Sequence, residues 1–161
     1  MNNLNSHFLY PSAIYVSQEP CQINTILGSC IAVCFWDINL KIGGMCHYML
    51  PYWNGEGLAS PKYGNIAIEK LLDKMYALGS KKFNIIAKIF GGGEVIEIKN
   101  PQFHIGDRNI KLAYEMLDEL KINIISYSVG GKLGRKIIFN TTTGEIVQKY
   151  VQKQITNFEK K

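Results

Sequence analysis

The chain has 161 residues, of which 47% are hydrophobic and 19% charged, and its formal net charge is +5 at pH 7. This length predicts one domain, residues 1–161, with a substantial buried core. The positive charge forms no basic stripe with interleaved aromatic residues, so nucleic-acid binding is unsupported. The longest strongly apolar run, at 31–36, is too short to span a bilayer, and the polar N-terminus does not resemble a signal peptide. We therefore expect a soluble cytoplasmic protein without membrane insertion.

Several apolar runs rich in β-branched and aromatic residues, most of them bounded by Gly, Asn or Asp, predict strands. They lie at 31–36, 42–50, 83–90, 95–98, 122–127, 136–139 and 145–151. A short, mostly polar connection at 37–41 joins the first two runs and predicts a hairpin.

Two segments have helical periodicity instead. Apolar residues recur at three- and four-residue steps in 64–78 and in 109–120, with charged residues between them. We expect both helices to be amphipathic and to cover a sheet. The polar tail at 152–161 is expected to fray.

The pairing of Cys30 with His47 is the most informative feature for function. Cys30 ends the run Leu-Gly-Ser-Cys at 27–30, where a turn of small residues can expose the sulfur at the mouth of a strand. The predicted hairpin would bring His47 beside it, and a histidine in reach of a cysteine can take the thiol proton. This pattern predicts cysteine-dependent acyl transfer.

The alternative for Cys30 is a buried core position, since free cysteine is among the most buried residue types. Cys34, in the middle of the same predicted strand, fits that description. Cys30 differs because it follows Gly28 and Ser29, where tight backbone and free amides can form a nest that binds an oxyanion.

A metal site is the other alternative. The chain has four cysteines, which without a secretory signal predict reduced thiols rather than disulfides. Zinc bound by Cys30, Cys34, Cys46 and His47 is disfavoured, because adjacent strand residues point to opposite faces and no Cys-x-x-Cys spacing is present.

Catalytic thiols commonly need a third group that orients the base. Asn24 and Thr25, just upstream on what we take to be the same turn, are the nearest candidates, although either could instead be a cap. His7 and His104 are weaker base candidates by location.

The glycine clusters at 91–93 and 130–134 fit neither of the common phosphate-binding patterns, so a nucleotide site is not expected. Tight turns that need positive φ or close backbone packing explain them better. Arg108 and Arg135 could be structural or substrate-facing cations, but a solvated charge is the default expectation.

Taken together, these motifs closely resemble those of the CheD family, the chemoreceptor glutamine deamidases of bacterial chemotaxis. The resemblance is nearly end to end and preserves order and spacing. It rests on the segments at 27–30, 43–51, 63–65, 88–92, 105–109, 130–135 and 143–144.

The resemblance implies a Cys-His-Thr catalytic set, with Cys30 as nucleophile, His47 as base and Thr25 as the third residue. It implies an α/β (α+β) sandwich of largely antiparallel sheets flanked by helices, similar to the catalytic domain of cytotoxic necrotizing factor toxins. It also implies a protein-glutamine glutaminase that needs no cofactor, acts on the cytoplasmic domain of methyl-accepting chemotaxis receptors, and associates with a CheC-type phosphatase.

The same residues are compatible with two other functions. A regulatory binding module would act mainly through the CheC-type phosphatase, although the presence of Cys30 and His47 argues against a purely structural role. A thiol protease or another cysteine amidohydrolase would share the same site and differ in its substrate pocket.

Overall fold

The computed structural model describes residues 4–95 and 104–151. The strands of this part, in chain order, are β1 (Asn5–Phe8), β2 (Ile14–Ser17), β3 (Cys21–Leu27), β4 (Ile31–Asp37), β5 (Ile42–Tyr48), β6 (Ile85–Gly91), β7 (Asn123–Val129), β8 (Gly134–Asn140) and β9 (Ile146–Val151). The helices are α1 (Gly64–Ala77) and α2 (Ile105–Leu120), and a short 3-10 helix (Lys82–Asn84) precedes β6.

The strands form two sheets. The outer sheet has the order β1-β3-β8-β9, and the central sheet has the order β2-β5-β4-β6-β7. All neighbouring strands are antiparallel except β1 with β3 and β6 with β7, which are parallel. The fold is therefore α+β with largely antiparallel pairing, as predicted, and the two parallel pairs make both sheets mixed.

The described strands and helices form three layers, which two buried clusters hold together. One cluster joins the outer sheet to the central sheet, and the other joins the central sheet to the helices. Strand β4 contributes to both, since Ala32 and Cys34 pack with the outer sheet whereas Ile31, Val33 and Phe35 pack with the helices. A strand covered on both faces carries a continuous apolar run, which explains the sequence of β4.

Most predicted strands are present. The runs at 31–36, 42–50, 122–127, 136–139 and 145–151 correspond to β4, β5, β7, β8 and β9, and β4 and β5 form the predicted hairpin. The run at 83–90 begins as the 3-10 helix and becomes a strand only at Ile85. Of the strand predicted at 95–98, Val95 lies outside any strand and the rest lies outside the described residues.

Three strands, β1 to β3, were not predicted. Buried and more exposed positions alternate along β3, so its apolar residues are interrupted by Gln22 and Asn24. Strands β1 and β2 have only four residues each and lie at sheet edges. The expectation that Asn24 and Thr25 lie on a turn was wrong, because β3 continues through both to Leu27.

Both predicted helices are present. α2 begins four residues earlier than predicted, at Ile105, with Asp107 in its first turn, where a carboxylate interacts favourably with the positive end of the helix dipole. Within the described ranges, neither helix is long and apolar enough to cross a membrane. The tail at 152–161 lies outside the described residues.

Candidate active site

The turn at residues 28–30 joins β3 of the outer sheet to β4 of the central sheet and carries Cys30. The backbone N–H of Gly93 donates to the Gly28 carbonyl at 2.9 Å, and that of Gly92 donates to the Cys30 carbonyl at 2.8 Å. The segment that follows β6 therefore holds both ends of the turn.

Close packing against this turn requires glycine in that segment. Gly91 has φ of 111°, in the region that favours glycine, and a side chain there would collide with the carbonyl oxygen of Cys30. Gly92 also has positive φ, of 69°. The expected positive φ and close backbone packing are confirmed at Gly91 and Gly92, but the cluster is the end of β6 and the segment after it rather than a tight turn.

Ser29, in the middle of the turn, is hydrogen-bonded to a residue of the helical layer. The side-chain amide of Asn109 on α2 donates to the Ser29 carbonyl at 3.0 Å. The turn is thus anchored from both β6 and α2, so the backbone that carries Cys30 is fixed at each of its carbonyls.

His47 lies on β5 opposite Ala32 of β4, and its side chain faces the outer sheet. There its Nδ1 lies 2.8 Å from the hydroxyl oxygen of Thr25 on β3. Both residues are buried, with exposed fractions of 2% for His47 and 0% for Thr25. The structure therefore brings together two of the residues predicted from sequence, one from each sheet.

The direction of this hydrogen bond follows from a second contact. The Thr25 hydroxyl donates to the carbonyl of Leu9 at 2.6 Å, which uses its single hydrogen. Nδ1 of His47 must then carry the hydrogen and donate to Thr25. This leaves Nε2 as the ring nitrogen with a free lone pair, the atom that can accept a proton.

The Nε2 atom of His47 is buried and has no hydrogen-bond partner among the residues that the structure describes. Burial lowers the pKa of His47 to about 4, because the charged ring would lose its hydration. The imidazole is therefore neutral near pH 7 and can serve as a base.

Cys30 is the most accessible of the four cysteines. It is half-buried, whereas Cys21, Cys34 and Cys46 are buried, and all four are free thiols. Burial raises the pKa of Cys30, although its own backbone N–H acts in the opposite direction. Burial raises the pKa of Cys34 much further and that of Cys46 to about 12.

Cys30 and His47 lie on the same side of the central sheet. Ala32 pairs with His47, and Cys30 precedes Ala32 by two residues, so a strand continued backwards presents Cys30 on the same face. Cys30 also packs against the cluster between the two sheets. Cys30 and His47 thus share one face at one end of the hairpin, and no hydrogen bond joins Cys30 Sγ to His47 Nε2 in the described residues.

Asn24, the alternative to Thr25, has other contacts. Its side-chain amide donates to the hydroxyl of Ser6 at 3.1 Å and to the carbonyl of His7 at 3.2 Å, both on β1. Thr25 is the residue of this pair that contacts His47.

The other two histidines have different neighbours. The His7 ring stacks on Tyr15 with 3.8 Å between ring centroids. His104 lies beside Asp107, with 3.8 Å between Nδ1 and Oδ2. In the described ranges, the group that could hold a metal ion is Glu94, His104 and Asp107, which includes neither His47 nor a cysteine.

Arg135 corrects another expectation, since it is not a solvated charge. It is only 3% exposed, and its guanidinium donates to the Ser128 hydroxyl at 3.1 Å and to the Gly130 carbonyl at 2.6 Å. It also reaches the carbonyls of Gly91 and Leu133. Arg135 therefore ties the glycine-rich loop before β8 to the end of β6.

Sequence reasoning missed two residues that shape the site. Leu9 contributes only its backbone carbonyl, for which no side-chain pattern gives a signal. Asn109 belongs to the resemblance segment at 105–109, and a polar residue among the apolar positions of an amphipathic helix was the available sign.

Comparisons with known proteins agree on one family. The family model described as "CheD chemotactic sensory transduction" matches residues 49–150. That range begins after both Cys30 and His47, so the roles of these residues rest on the geometry and on the sequence resemblance.

Relatives named "Probable chemoreceptor glutamine deamidase CheD" match most of the chain. The protein of Trichlorobacter lovleyi is 49% identical over 144 residues, which are 89% of this chain and 89% of that protein. The protein of Sulfurimonas denitrificans is 44% identical over 148 residues, 91% of this chain and 94% of that protein. The protein of Rhodospirillum rubrum is 35% identical over 156 residues, 97% and 88% respectively.

Proposed function

The chain belongs to the CheD family, and we propose that it hydrolyses glutamine side-chain amides of chemoreceptors to glutamate. The single observation that carries the mechanism is the hydrogen bond from His47 to Thr25, since it fixes the ring with Nε2 free on the side of the sheet that Cys30 occupies. The relatives are named as probable chemoreceptor glutamine deamidases, which supports a chemoreceptor glutamine as the substrate.

In the proposed reaction, Nε2 of His47 takes the thiol proton while Sγ of Cys30 attacks the carboxamide carbon. The carbonyl oxygen becomes an oxyanion, for which the backbone amides of the turn at Gly28, Ser29 and Cys30 are the proposed donors. The imidazolium then gives its proton to the amine, ammonia leaves, and a thioester remains. Water, deprotonated by His47, cleaves the thioester to release glutamate and restore the thiol. The cycle needs no cofactor.

Proton transfer and attack are expected to be coupled. Burial disfavours both the thiolate of Cys30 and the imidazolium of His47, so a preformed ion pair is costly. The pair becomes charged only when the amide carbonyl accepts the developing negative charge. This arrangement favours reaction with a carbonyl bound against the turn over reaction with other electrophiles.

The test is incubation with a receptor cytoplasmic fragment, read by released ammonia and by mass spectrometry of glutamine-containing peptides. Free glutamine and an unstructured glutamine peptide are the controls, because a small amide alone supplies too little binding energy to orient its carbonyl. Turnover of the receptor fragment alone supports the proposal. Equal turnover of all three substrates would indicate a general amidase instead.

Three finer points belong to the same proposal. We place the reaction in the cytoplasm, where the receptor domain is exposed. We expect association with a CheC-type phosphatase, which co-purification would test. We also retain the similarity of the fold to the catalytic domain of cytotoxic necrotizing factor toxins as a prediction, which a structural superposition would test.

A further inference from the structure

Asn109 is a fully buried polar residue that has no role in the reaction proposed above. It lies in the second turn of α2 with an exposed fraction of 0%, on the face that packs against the central sheet. A buried side-chain amide is costly unless it is hydrogen-bonded, so its contacts indicate why an amide is present at this position.

The side-chain amide joins the turn that carries the candidate nucleophile to the residues that follow the strand of the candidate base. Nδ2 donates to the Ser29 carbonyl, one residue before Cys30, at 3.0 Å, and to the Met49 carbonyl, two residues after His47, at 2.9 Å. Both hydrogens of the amide are therefore used.

The orientation of this amide is fixed by chemistry. A flipped side chain would place Oδ1 against two carbonyl oxygens, which repel it. The backbone of Asn109 is held as well, because the Tyr48 hydroxyl donates to its carbonyl at 2.5 Å. Asn109 is thus anchored by the strand of the candidate base and itself anchors the turn of the candidate nucleophile.

The Ser29 carbonyl and the Cys30 N–H belong to one planar peptide unit and point in opposite directions. Whatever holds the carbonyl therefore sets the direction of the N–H. Because the Ser29 carbonyl points towards α2, the Cys30 N–H points away from the helices, towards the cluster between the two sheets against which Cys30 packs. This is the location that an oxyanion donor must occupy in a thiol acyl-transfer reaction.

We propose that Asn109 is a positioning residue that aims the backbone N–H of Cys30 at the oxyanion by holding the carbonyl of Ser29. The inference rests on the proposed function, because it assigns Cys30 a role in acyl transfer. It goes further by connecting helix α2 to stabilisation of the transition state.

Two reagents separate this role from a general structural one. In acylation of Cys30 by p-nitrophenyl acetate, Sγ bonds to the acyl carbon, an oxyanion forms, p-nitrophenolate leaves, and His47 takes the thiol proton. In alkylation of Cys30 by iodoacetamide, Sγ bonds to the methylene carbon, iodide leaves and His47 again takes the thiol proton, but no oxyanion forms. A misdirected Cys30 N–H should slow only the first reaction.

The variants are Asn109→Leu, which keeps the size but removes the donors, and Asn109→Ser, whose hydroxyl is too short to bridge both carbonyls. If Asn109→Leu does not fold, the rates measured for Asn109→Ser test the role of Asn109. We expect the ratio of acylation rate to alkylation rate to fall about tenfold or more, the loss typical of a removed oxyanion donor being about 10²–10³-fold. With the receptor fragment, kcat should fall and KM should stay unchanged.

Thr141→Val is the matched control. Thr141 is 1% exposed, and its hydroxyl accepts a hydrogen bond from the backbone N–H of Cys21 at 3.0 Å, at the opposite end of β3 from the turn. This variant should lower the melting temperature without changing the ratio of the two rates.

An unchanged ratio in Asn109→Ser, or equal losses of acylation and alkylation, would overturn the inference. Both rates are measured without a receptor, so failure of the proposed function has a separate signature. A wild-type protein that releases no ammonia from receptor fragments would refute the deamidase proposal, while the ratio would still decide the role of Asn109.

Discussion

Thr25 and His47 belong to different sheets, and their side chains meet in a hydrogen bond of 2.8 Å across the buried space between the sheets. The Thr25 hydroxyl donates its hydrogen to Leu9, so the bond selects the tautomer of His47 that leaves Nε2 free. The packing of two sheets thus sets the chemical state of one ring.

Replacing Thr25 tests this relationship. Thr25→Val should lower activity by about 10²-fold, because the ring can then turn or change tautomer. It should also cost about 1–3 kcal/mol in the free energy of unfolding, since the Leu9 carbonyl and His47 Nδ1 lose a buried partner. Activity assays and urea unfolding measure the two effects.

Thr25→Ser keeps the hydroxyl and should restore most of the activity. Asn24→Ala is the matched control, since the Asn24 side chain contacts β1 and not His47. An inactive Asn24 variant beside an active Thr25→Val variant would reverse the assignment of the orienting residue.

Replacing Cys30 tests the nucleophile. Cys30→Ala should abolish ammonia release and leave the melting temperature nearly unchanged, because a half-buried thiol contributes chemistry more than packing. Cys34→Ala should keep activity and lose on the order of 1 kcal/mol of stability through a small cavity in the buried strand. If the Cys34 variant were the inactive one, the nucleophile assignment would be wrong.

Replacing His47 tests the base. His47→Ala should lower kcat by about 10²–10⁴-fold, the usual contribution of a positioned general base. His104→Ala serves as the control, because His104 lies beside Asp107 rather than Thr25. Measuring kcat for both variants tests the assignment. Equal losses of kcat in the two variants would show that His47 is not the general base.

The stability of the protein should fall on acidification because of His47. Its pKa is about 4 in the folded state against 6.5 ordinarily, so between these values the unfolded chain binds more protons. Stability should decline as the pH falls from 6.5 towards 4, by about 3 kcal/mol for this residue. Chemical unfolding of wild type and His47→Asn measured across this window should show a shallower decline in the variant.

The same lowered pKa predicts how activity depends on pH. The acid limb of kcat/KM reports the base of the free enzyme, so it should appear near the pKa of His47, about 4, rather than near 6.5. Initial rates with the receptor fragment, taken at pH values where the protein remains folded, would measure it. A limb centred at 6.5 would contradict a buried neutral base.

The strongly patterned elements could be predicted from sequence. The apolar run of β4, the polar connection after it and the apolar run of β5 predicted a hairpin, and the structure pairs these strands with Ala32 opposite His47. The pattern worked because both strands of the hairpin are buried and the connection is short. Both amphipathic helices followed for a similar reason, since one face of each helix is apolar.

Strand β3 shows where this reasoning fails. Its outward residues are polar or exposed, so neither the apolar content nor the flanking residues distinguish it from a turn. Its strand character comes from pairing with β1 and β8, segments far from it in the chain or too short to predict. The sequence therefore indicated Thr25 as a candidate residue, but it did not predict strand β3, which directs the Thr25 side chain towards His47.

The sequence by itself determined which groups are available for the chemistry, because a thiol on a small-residue turn and an imidazole one hairpin away are local features of the chain. Only the tertiary structure decided how they are oriented. The tautomer of His47 depends on Thr25 and on the Leu9 carbonyl, and the direction of the Cys30 peptide depends on Asn109, a residue of a distant helix. Hydrogen bonds between layers are set by packing, and packing is a property of the whole fold rather than of any one segment.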